Sequence, residues 1–250
     1  MKKSLYGLKQ ASRAWNAKFH GFLAQYGLTR STADPCIYVR KEDDEITIMA
    51  IWVDDGLICS TRQNKLNDIV GYLSRNFEMT SGTVDNFIGI KITRNRLMRT
   101  IHMTKESYIL QILRKFQMDE CNSRAIPADP FTHLVITALP KNIQDENDAK
   151  FPYREAVGSL IFAVTCTRPD IAYAVNQVAQ FSNKPSKAHW EAIKQILSYL
   201  KGTANHGICY GGTTGEFNLV AYSDADFAGN VSDRRSTSGV VLMLNGAPVS

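Results

Sequence analysis

The most informative stretch of this chain is residues 47–60, which read Thr-Ile-Met-Ala-Ile-Trp-Val-Asp-Asp-Gly-Leu-Ile-Cys-Ser. Two apolar runs typical of strands flank two acids and a glycine, so the stretch predicts a β-hairpin with Asp54 and Asp55 at its tip. Two adjacent carboxylates at the end of an apolar strand repel each other, and a divalent cation removes that conflict. The pair is therefore a candidate metal site.

Ordinary turn chemistry is the alternative explanation for the same residues. Asp-Gly is a favoured pair in two-residue hairpin turns, so Asp55-Gly56 could serve the backbone alone. A two-metal site for nucleotidyl transfer would also need a further carboxylate from a separate strand. The first acid of the chain is Asp34, so no strand upstream of it offers one in this sequence. Both explanations stay open on these residues alone.

Composition narrows the class of protein. The chain has 250 residues, 44% of them hydrophobic, enough for one large domain or two smaller ones. Its start lacks the apolar block of a signal peptide, and no apolar run approaches the roughly 20 residues that cross a bilayer. Five cysteines without a CxxC pair argue against a disulfide framework and a zinc site. We expect an intracellular protein that does not interact with membranes.

The charge is unevenly distributed along the chain. The net charge is +5, yet residues 1–30 hold six basic side chains and no acid, and residues 91–115 hold seven against Glu106 alone. Basic segments on either side of an acidic point suit a polyanion held beside a metal. Solvated helix faces are the alternative.

Hydrophobic periodicity predicts an α+β fold. In the first half, the predicted elements are a helix from Trp15 to Tyr26 closed by Gly27, strands Cys36–Arg40, Ile46–Val53 and Leu57–Ser60, a helix around Leu66–Leu73, a strand Phe87–Ile92 paired with Thr100–Met103, and a helix capped by Thr104. In the second half they are a connector at Pro127–Lys150, helices at Tyr153–Cys166, from Pro169 and at Ser186–Gly202, and strands Phe217–Ser223, Gly239–Leu244 and from Pro248. We expect His189 to lie on a helix surface rather than to act as a catalytic base.

Longer blocks resemble copia-type retrotransposon Pol polyproteins. Residues 3–15, KSLYGLKQASRAW, closely resemble the KSLYGLKQAPRAW signature of the family's reverse transcriptase. Residues 52–55, WVDD, resemble its YVDD catalytic loop, and residues 87–90, FIGI, resemble its FLGI segment. Residues 153–160 and 167–171 are similar to its connecting region, and residues 222–229 and 233–239 to the opening of its RNase H domain. The resemblance covers nearly the whole chain in the family's order.

The resemblance implies a domain order and an activity. It implies a partial reverse-transcriptase palm and thumb at 1–126, a linker at 127–150, a helical connection at 151–212 and a truncated RNase H-like domain at 213–250. The implied activity is RNA-directed DNA polymerisation by two-metal nucleotidyl transfer, with Mg²⁺ or Mn²⁺ as cofactor. The implied partners are an RNA/DNA template–primer duplex, a dNTP and the rest of the Pol polyprotein, in a cytoplasmic particle or the nucleus.

The resemblance also assigns roles to residues. Asp54 and Asp55 would be the catalytic metal-binding pair, and Asp224 would be the first metal-binding carboxylate of the RNase H-like site. The residues expected at the nucleotide and template are Lys9, Gln10, Arg13 and Trp52. Those expected at the primer or its duplex are Gly89, Lys91, Lys105, Arg114 and Lys115.

Three departures from the family pattern bear on activity. Met1 falls just before the KSLYGLKQ block, so the family's fingers and the palm strand with its third catalytic aspartate would lie upstream. The later RNase H carboxylates would follow Ser250. Trp52, Ser12 and Phe227 replace the family's tyrosine, proline and tryptophan. We therefore expect weak metal binding and little or no synthesis by this chain alone. A non-catalytic nucleic-acid-binding remnant and a nuclease around Asp224 are the alternatives.

Overall fold

The computed structural model describes residues 7–129, 134, 151–211, 218–230 and 234–249. The structure is mixed α+β with antiparallel sheets, which confirms the fold class predicted from the sequence. The chain divides into two compact units, one ending at Ile88 and the other beginning at Gly89. Within the described ranges, no helix has the length and apolar character needed to span a membrane.

The first unit is a four-stranded sheet with two helices. Its elements are α1 (Ala11–Gln25), β1 (Thr29–Arg30), β2 (Ile37–Glu42), β3 (Glu45–Trp52), β4 (Asp55–Ser60), α2 (Gln63–Asn76) and β5 (Asn86–Phe87). Strands β1 to β4 pair in chain order, and each pair is antiparallel. Successive hairpins therefore bring the tip between β3 and β4 to one end of the sheet.

One face of this sheet is buried and the other is open. Thr47 and Met49 of β3 are buried with Leu23 and Leu28 of the α1 region and Ile69 of α2, whereas the alternate residue Ile48 is 41% exposed. Side chains alternate between the two faces of a strand, so the helices cover the Met49 face alone.

Gly27 closes α1, as the sequence predicts. Its φ is +94°, and the chain folds back so that Gly27 N–H donates to Ala24 O at 3.0 Å and Leu28 N–H donates to Leu23 O at 2.9 Å. This pair of bonds is the Schellman motif, which needs a left-handed residue and therefore selects glycine.

The second unit combines two small sheets with a helical core. Its elements are β6 (Ile90–Asn95), β7 (Thr100–Thr104), α3 (Glu106–Lys115), α4 (Tyr153–Cys166), a 3₁₀ turn (Pro169–Ile171), α5 (Ala172–Ala179), α6 (Lys187–Gly202), β8 (Ile208–Gly211), β9 (Leu219–Ala225), β10 (Ser238–Leu244) and β11 (Ala247–Pro248). Strand β7 lies between β6 and β8, and β10 lies between β9 and β11, all antiparallel.

Helices α3 to α6 share one apolar core. Ile112, Leu160, Val175 and Leu197, one from each helix, are among its buried residues. Helix α3, which the predicted boundaries place with the first segment, is thus part of the core formed with α4, α5 and α6. Inside this core the hydroxyl of Tyr153 donates to Val178 O at 2.7 Å, and burial raises the pKa of Tyr153 to about 12.

A buried arginine joins the start of α5 to the end of α6. Arg168 is 1% exposed, and its guanidinium donates to both carboxylate oxygens of Asp170, at 2.9 and 2.7 Å. It also donates to the carbonyl and hydroxyl oxygens of Thr203, at 2.8 and 2.7 Å. Tyr199 donates its hydroxyl to Asp170 at 2.9 Å. All of these contacts are internal, so the TRPDI block of the sequence has a structural role here.

Several sequence-based details are wrong. The predicted strand Phe87–Ile92 is interrupted at Ile88 and Gly89, whose φ values of +52° and +68° are incompatible with an extended strand. Thr104 is not the N-cap of α3, because Lys105 occupies that position, although Thr104 Oγ1 still accepts the Glu106 N–H at 3.1 Å.

His189 is buried at 2% exposure, so its predicted surface position is wrong. Its Nδ1 accepts the Ser186 N–H at 2.9 Å in a capping box, and its ring stacks on Phe181 at a centroid distance of 4.0 Å. Ser186 caps α6 and Gly202 ends it, as predicted.

Most of the predicted connector, residues 130–133 and 135–150, lies outside the described residues, as does Phe217. Strand β9 is described from Leu219.

Candidate active site at the β3–β4 hairpin

The β3–β4 hairpin turns at Val53 and Asp54. Trp52 pairs with Asp55, and Ile51 pairs with Gly56, so Asp55 and Gly56 already belong to β4. The explanation of Asp55-Gly56 as the turn itself is therefore wrong. Gly56 has another role, because a Cβ at that position would lie 3.1 Å from Met49 Cε. The glycine leaves room for a core methionine.

The turn stores backbone strain at Val53. Its φ is +58°, and Asp54 beside it has no positive φ. A two-residue hairpin with a left-handed first position normally takes glycine there, and a β-branched residue in that conformation is a true outlier. The Val53 side chain is 57% exposed, so its own burial does not offset this cost. Such strain persists only where surrounding contacts impose it.

One such contact comes from Trp15 of α1. Its indole Nε1–H donates to the Val53 carbonyl oxygen at 2.7 Å. The ring is held in turn by stacking on Phe19, with centroids 5.2 Å apart, and by an edge contact with Phe77 at 5.6 Å. Since the accepting oxygen belongs to the peptide that leads into Asp54, Trp15 fixes the orientation of the peptide before the first carboxylate.

Sequence reasoning placed Trp15 on the apolar face of a helix and missed this bond. A partly buried indole needs an acceptor for its N–H, which is the signal that could have pointed to it. Nothing local identifies the acceptor, because Trp15 and Val53 are far apart in sequence.

We expect Trp15→Phe to loosen the hairpin while leaving the unit folded. Phenylalanine keeps the aromatic packing and removes only the donor, and one hydrogen bond contributes about 0.5–1.5 kcal/mol. The amide of Asp55 should therefore exchange with solvent up to about tenfold faster by hydrogen-exchange NMR. The control is Trp190→Phe in α6, which should leave that amide unchanged. If the Asp55 amide exchanges at an unaltered rate in Trp15→Phe, Trp15 does not orient the turn.

The two carboxylates offer oxygen ligands but no complete cage. Asp54 and Asp55 are exposed at the tip, and the described residues contain no group of three or more His, Cys, Asp or Glu side chains placed to hold a metal ion. Magnesium is commonly held by one or two carboxylates together with the phosphates of a substrate. The pair fits that mode of binding, in which the nucleotide completes the coordination.

The residues expected at the nucleotide lie at the start of α1 and on the hairpin. Lys9 and Gln10 immediately precede α1 and Arg13 is in its first turn, and all three are exposed. Trp52 is also exposed, opposite Asp55. Trp15, in the same helix, links this segment to the Val53 turn. One hydrogen bond thus connects α1 to the carboxylate tip, and Lys9, Gln10 and Arg13 lie at the start of that helix.

The five residues expected at the primer all lie in the second unit, which begins at Gly89. Lys91 and Arg114 are exposed, and Lys115 pairs with Glu155 at 2.8 Å. Lys105 is only 6% exposed, and its ammonium lies 4.6 Å from the Phe162 ring centroid. A Cβ on Gly89 would stand 3.4 Å from the Lys105 Nζ, so these two predicted residues are neighbours.

Asp224 lies on β9 opposite Gly239 and is exposed. Its Oδ1 accepts the N–H of Ala225 at 2.9 Å. Asp226 has a structural role. Its Oδ1 accepts the N–H of Thr237 at 2.9 Å and that of Gly229 at 3.3 Å, and these bonds stabilise the connection between β9 and β10. The neighbouring aspartate is thus committed to the backbone.

Comparison with known proteins identifies the family. The family described as "Reverse transcriptase (RNA-dependent DNA polymerase)" matches residues 1–130, which include the KSLYGLKQ block, the Asp54–Asp55 hairpin and α3. The chain belongs to the reverse transcriptase family. This result confirms the resemblance predicted from the sequence blocks.

Two of the relatives of this chain are transposon polyproteins. The retrovirus-related Pol polyprotein from transposon TNT 1-94 of Nicotiana tabacum is 38% identical over 100% of this chain and 19% of its own length. That from transposon RE1 of Arabidopsis thaliana is 36% identical over 100% of this chain and 16% of its own length. An uncharacterised mitochondrial protein of Arabidopsis thaliana is 35% identical over 78% of each chain. No solved structure matches. The chain spans less than a fifth of the two polyproteins.

Proposed function

We propose that this chain is a segment of a copia-type retrotransposon reverse transcriptase. In this proposal the first unit and α3 supply part of the palm and thumb, helices α4 to α6 supply the connection, and β9 to β11 begin an RNase H-like domain. Its substrates are a dNTP and an RNA/DNA template–primer duplex, and its partner is the rest of the Pol polyprotein.

One observation carries the proposal. Within the stretch matched by the reverse transcriptase family, two carboxylates stand at the exposed tip of the β3–β4 hairpin. One is in the turn and the other directly follows it, and the strained Val53 of that turn accepts a hydrogen bond from Trp15. Strain of this kind clusters at functional sites because it holds reacting groups in one arrangement.

Asp54 and Asp55 would hold Mg²⁺ or Mn²⁺ in this proposal, and Lys9, Gln10 and Arg13 would contact the nucleotide. When bound, the metal ions activate the primer hydroxyl and stabilise the leaving pyrophosphate. Two exposed carboxylates without a third bind magnesium weakly, because each lost ligand removes charge from the site. We therefore propose that the isolated chain retains the binding surfaces and little or no synthesis.

Primer extension tests this proposal directly. On a poly(rA)·oligo(dT) substrate with Mg²⁺ and dTTP, the isolated chain should give little or no extension above buffer. Asp54→Asn is the matched control, since it removes the negative charge of one ligand with almost no change in side-chain shape. Magnesium-dependent synthesis that Asp54→Asn abolishes would overturn the proposed inactivity and establish the site.

A non-catalytic nucleic-acid-binding remnant is the second candidate. It is favoured by the exposed basic side chains of the second unit, Lys91 and Arg114 among them. Duplex binding that weakens steeply with salt, without synthesis under any metal even when the upstream Pol segment is added in trans, would favour the remnant. Loss of duplex binding at every salt concentration would exclude both candidates.

A further inference from the structure

The β6–β7 hairpin ends in an apolar tip that has no covering residues in the described structure. Residues Arg96 to Arg99 form the tip, with Leu97 96% exposed and Met98 64% exposed. Exposing two adjacent large apolar side chains to water is unfavourable in free energy. Exposed apolar patches mark interaction sites more often than isolated exposed apolar residues do.

The backbone of this tip is fixed. Asn95 pairs with Thr100 across its base, Asn95 Oδ1 accepts the N–H of Met98 at 3.0 Å, and Arg99 takes a left-handed φ of +53°. Thr100 also pairs with Gly211, so β8 supports the hairpin from its other side. Leu97 is therefore presented by an ordered turn.

Positive charge is distributed along the hairpin that carries the apolar tip. Lys91, Arg94, Arg96 and Arg99 are all exposed, and residues 86–105 contain no acid. None of these four makes an ion pair with another residue in the part of the chain that the structure describes. The hairpin is thus basic along its length and apolar at its tip, and its positive charge suits binding to a polyanion.

We propose that the Arg96–Arg99 tip is a nucleic-acid wedge. Leu97 enters the minor groove of the template–primer duplex and contacts a base step, while Arg94 and Arg96 bind the flanking phosphates. This inference rests on the proposed function, since it assumes that the chain meets a duplex.

The chemistry of the tip favours nucleic acid. Leucine and methionine are among the side chains that wedge between base steps in the minor groove, with arginines beside them. An A-like duplex has a wide, shallow minor groove that a short hairpin can reach. Arginine predominates among the tip's cations, and its planar group binds phosphate with two parallel hydrogen bonds.

The test uses the full chain and an RNA/DNA duplex that carries 2-aminopurine in one strand. Fluorescence anisotropy gives affinity across a salt series, and 2-aminopurine emission reports unstacking of a base step. Arg94→Gln and Arg96→Gln should each weaken binding about fivefold and reduce the salt slope by about one. Leu97→Ser should weaken binding about tenfold, leave the slope unchanged and abolish the rise in emission.

Matched controls come from exposed residues elsewhere. Arg75→Gln in α2 and Leu219→Ser in β9 replace exposed side chains of the same types and should bind as the unchanged chain does. If the unchanged chain binds the duplex and the tip variants bind equally well, the wedge is wrong while the proposed function stands. If the unchanged chain binds no duplex at any salt concentration, both fail. Loss of binding to phosphatidylserine vesicles in Leu97→Ser, with duplex binding intact, would overturn the wedge in favour of a lipid surface.

Discussion

Asp170→Ala should lower the free energy of unfolding of the second unit by about 3–5 kcal/mol. The substitution leaves the guanidinium of Arg168, 1% exposed, without the carboxylate that binds it through two hydrogen bonds. A buried charge that loses its partner is far more costly than the intact pair is stabilising. Hydrogen exchange of the α5 and α6 amides under a denaturant series gives the change for this unit alone.

The exposed ion pair between Lys115 and Glu155 is the matched control. Its atoms are 2.8 Å apart, as close as those of the Arg168 pair, but both side chains are about half exposed. Glu155→Ala should cost no more than about 1 kcal/mol. Equal losses in the two variants would show that burial of Arg168 adds nothing. Arg168→Met combined with Asp170→Ala should recover part of the loss, because it removes the stranded charge.

Acid should remove the same stabilisation. Burial of Asp170 alone would raise its pKa, but the hydrogen bonds and charge of Arg168, with a further bond from Tyr199, outweigh burial and hold the pKa below its ordinary value. A lowered folded-state pKa means that stability is complete above the pKa of the unfolded chain and declines as pH falls through the folded value. Asp170→Asn should therefore flatten the acid side of the stability profile.

Gly207→Ala and Gly211→Ala should each detach β8 from β7, at a cost of about 3 kcal/mol or more. A Cβ on Gly207 would overlap the carbonyl oxygen of Met103, and one on Gly211 would overlap that of Arg99. Both obstacles are backbone atoms, which cannot turn aside as a side chain can. Gly211 also has a φ of +105°, which alanine adopts only under strain.

Gly158→Ala in α4 provides the opposite expectation. Apart from its chain neighbours and the backbone of its own helix, no atom lies within 4 Å of a Cβ there, and glycine inside a helix costs about 0.5–1 kcal/mol relative to alanine. Stability should rise in that variant. Thermal unfolding distinguishes Gly158→Ala from the two β8 variants, and hydrogen exchange of the Met103 and Thr104 amides gives the local readout. Protected β7 amides in Gly207→Ala would contradict the steric argument.

Patterns confined to one element predicted the fold well. The apolar spacing from Trp15 to Tyr26 and the glycine after it identify α1 and its end, because both act within a few residues, although the helix begins four residues earlier, at Ala11. Ser186 and Gly202 define α6 for the same reason. The errors lie where residues distant in sequence determine the local conformation. Val53 adopts a backbone conformation that valine disfavours, and its carbonyl oxygen accepts a hydrogen bond from the distant Trp15.

The candidate site was predictable in composition and not in geometry. Asp54 and Asp55 were identifiable from the apolar runs beside them. The turn itself, however, is formed by Val53 and Asp54, two residues before the Asp55-Gly56 pair that the sequence pattern indicated. Lys105 illustrates the other limit, because the family resemblance and the basic segment around it placed it at a nucleic acid, while the fold buries it against Phe162. Burial of a basic side chain depends on packing, which a linear pattern of charges does not contain.

The pairing of β7 with β8 sets an order for folding during synthesis. Thr100 and Gly211 are neighbours in the sheet but lie on the order of 100 residues apart in the chain, so this closure is among the slowest and latest contacts. The β1–β4 sheet of the first unit, whose strands pair through consecutive hairpins, can form once Ile88 has left the ribosome. Until β8 emerges, one edge of β7 presents unpaired backbone groups, and a chain interrupted after α6 would carry that open edge as a template for aggregation.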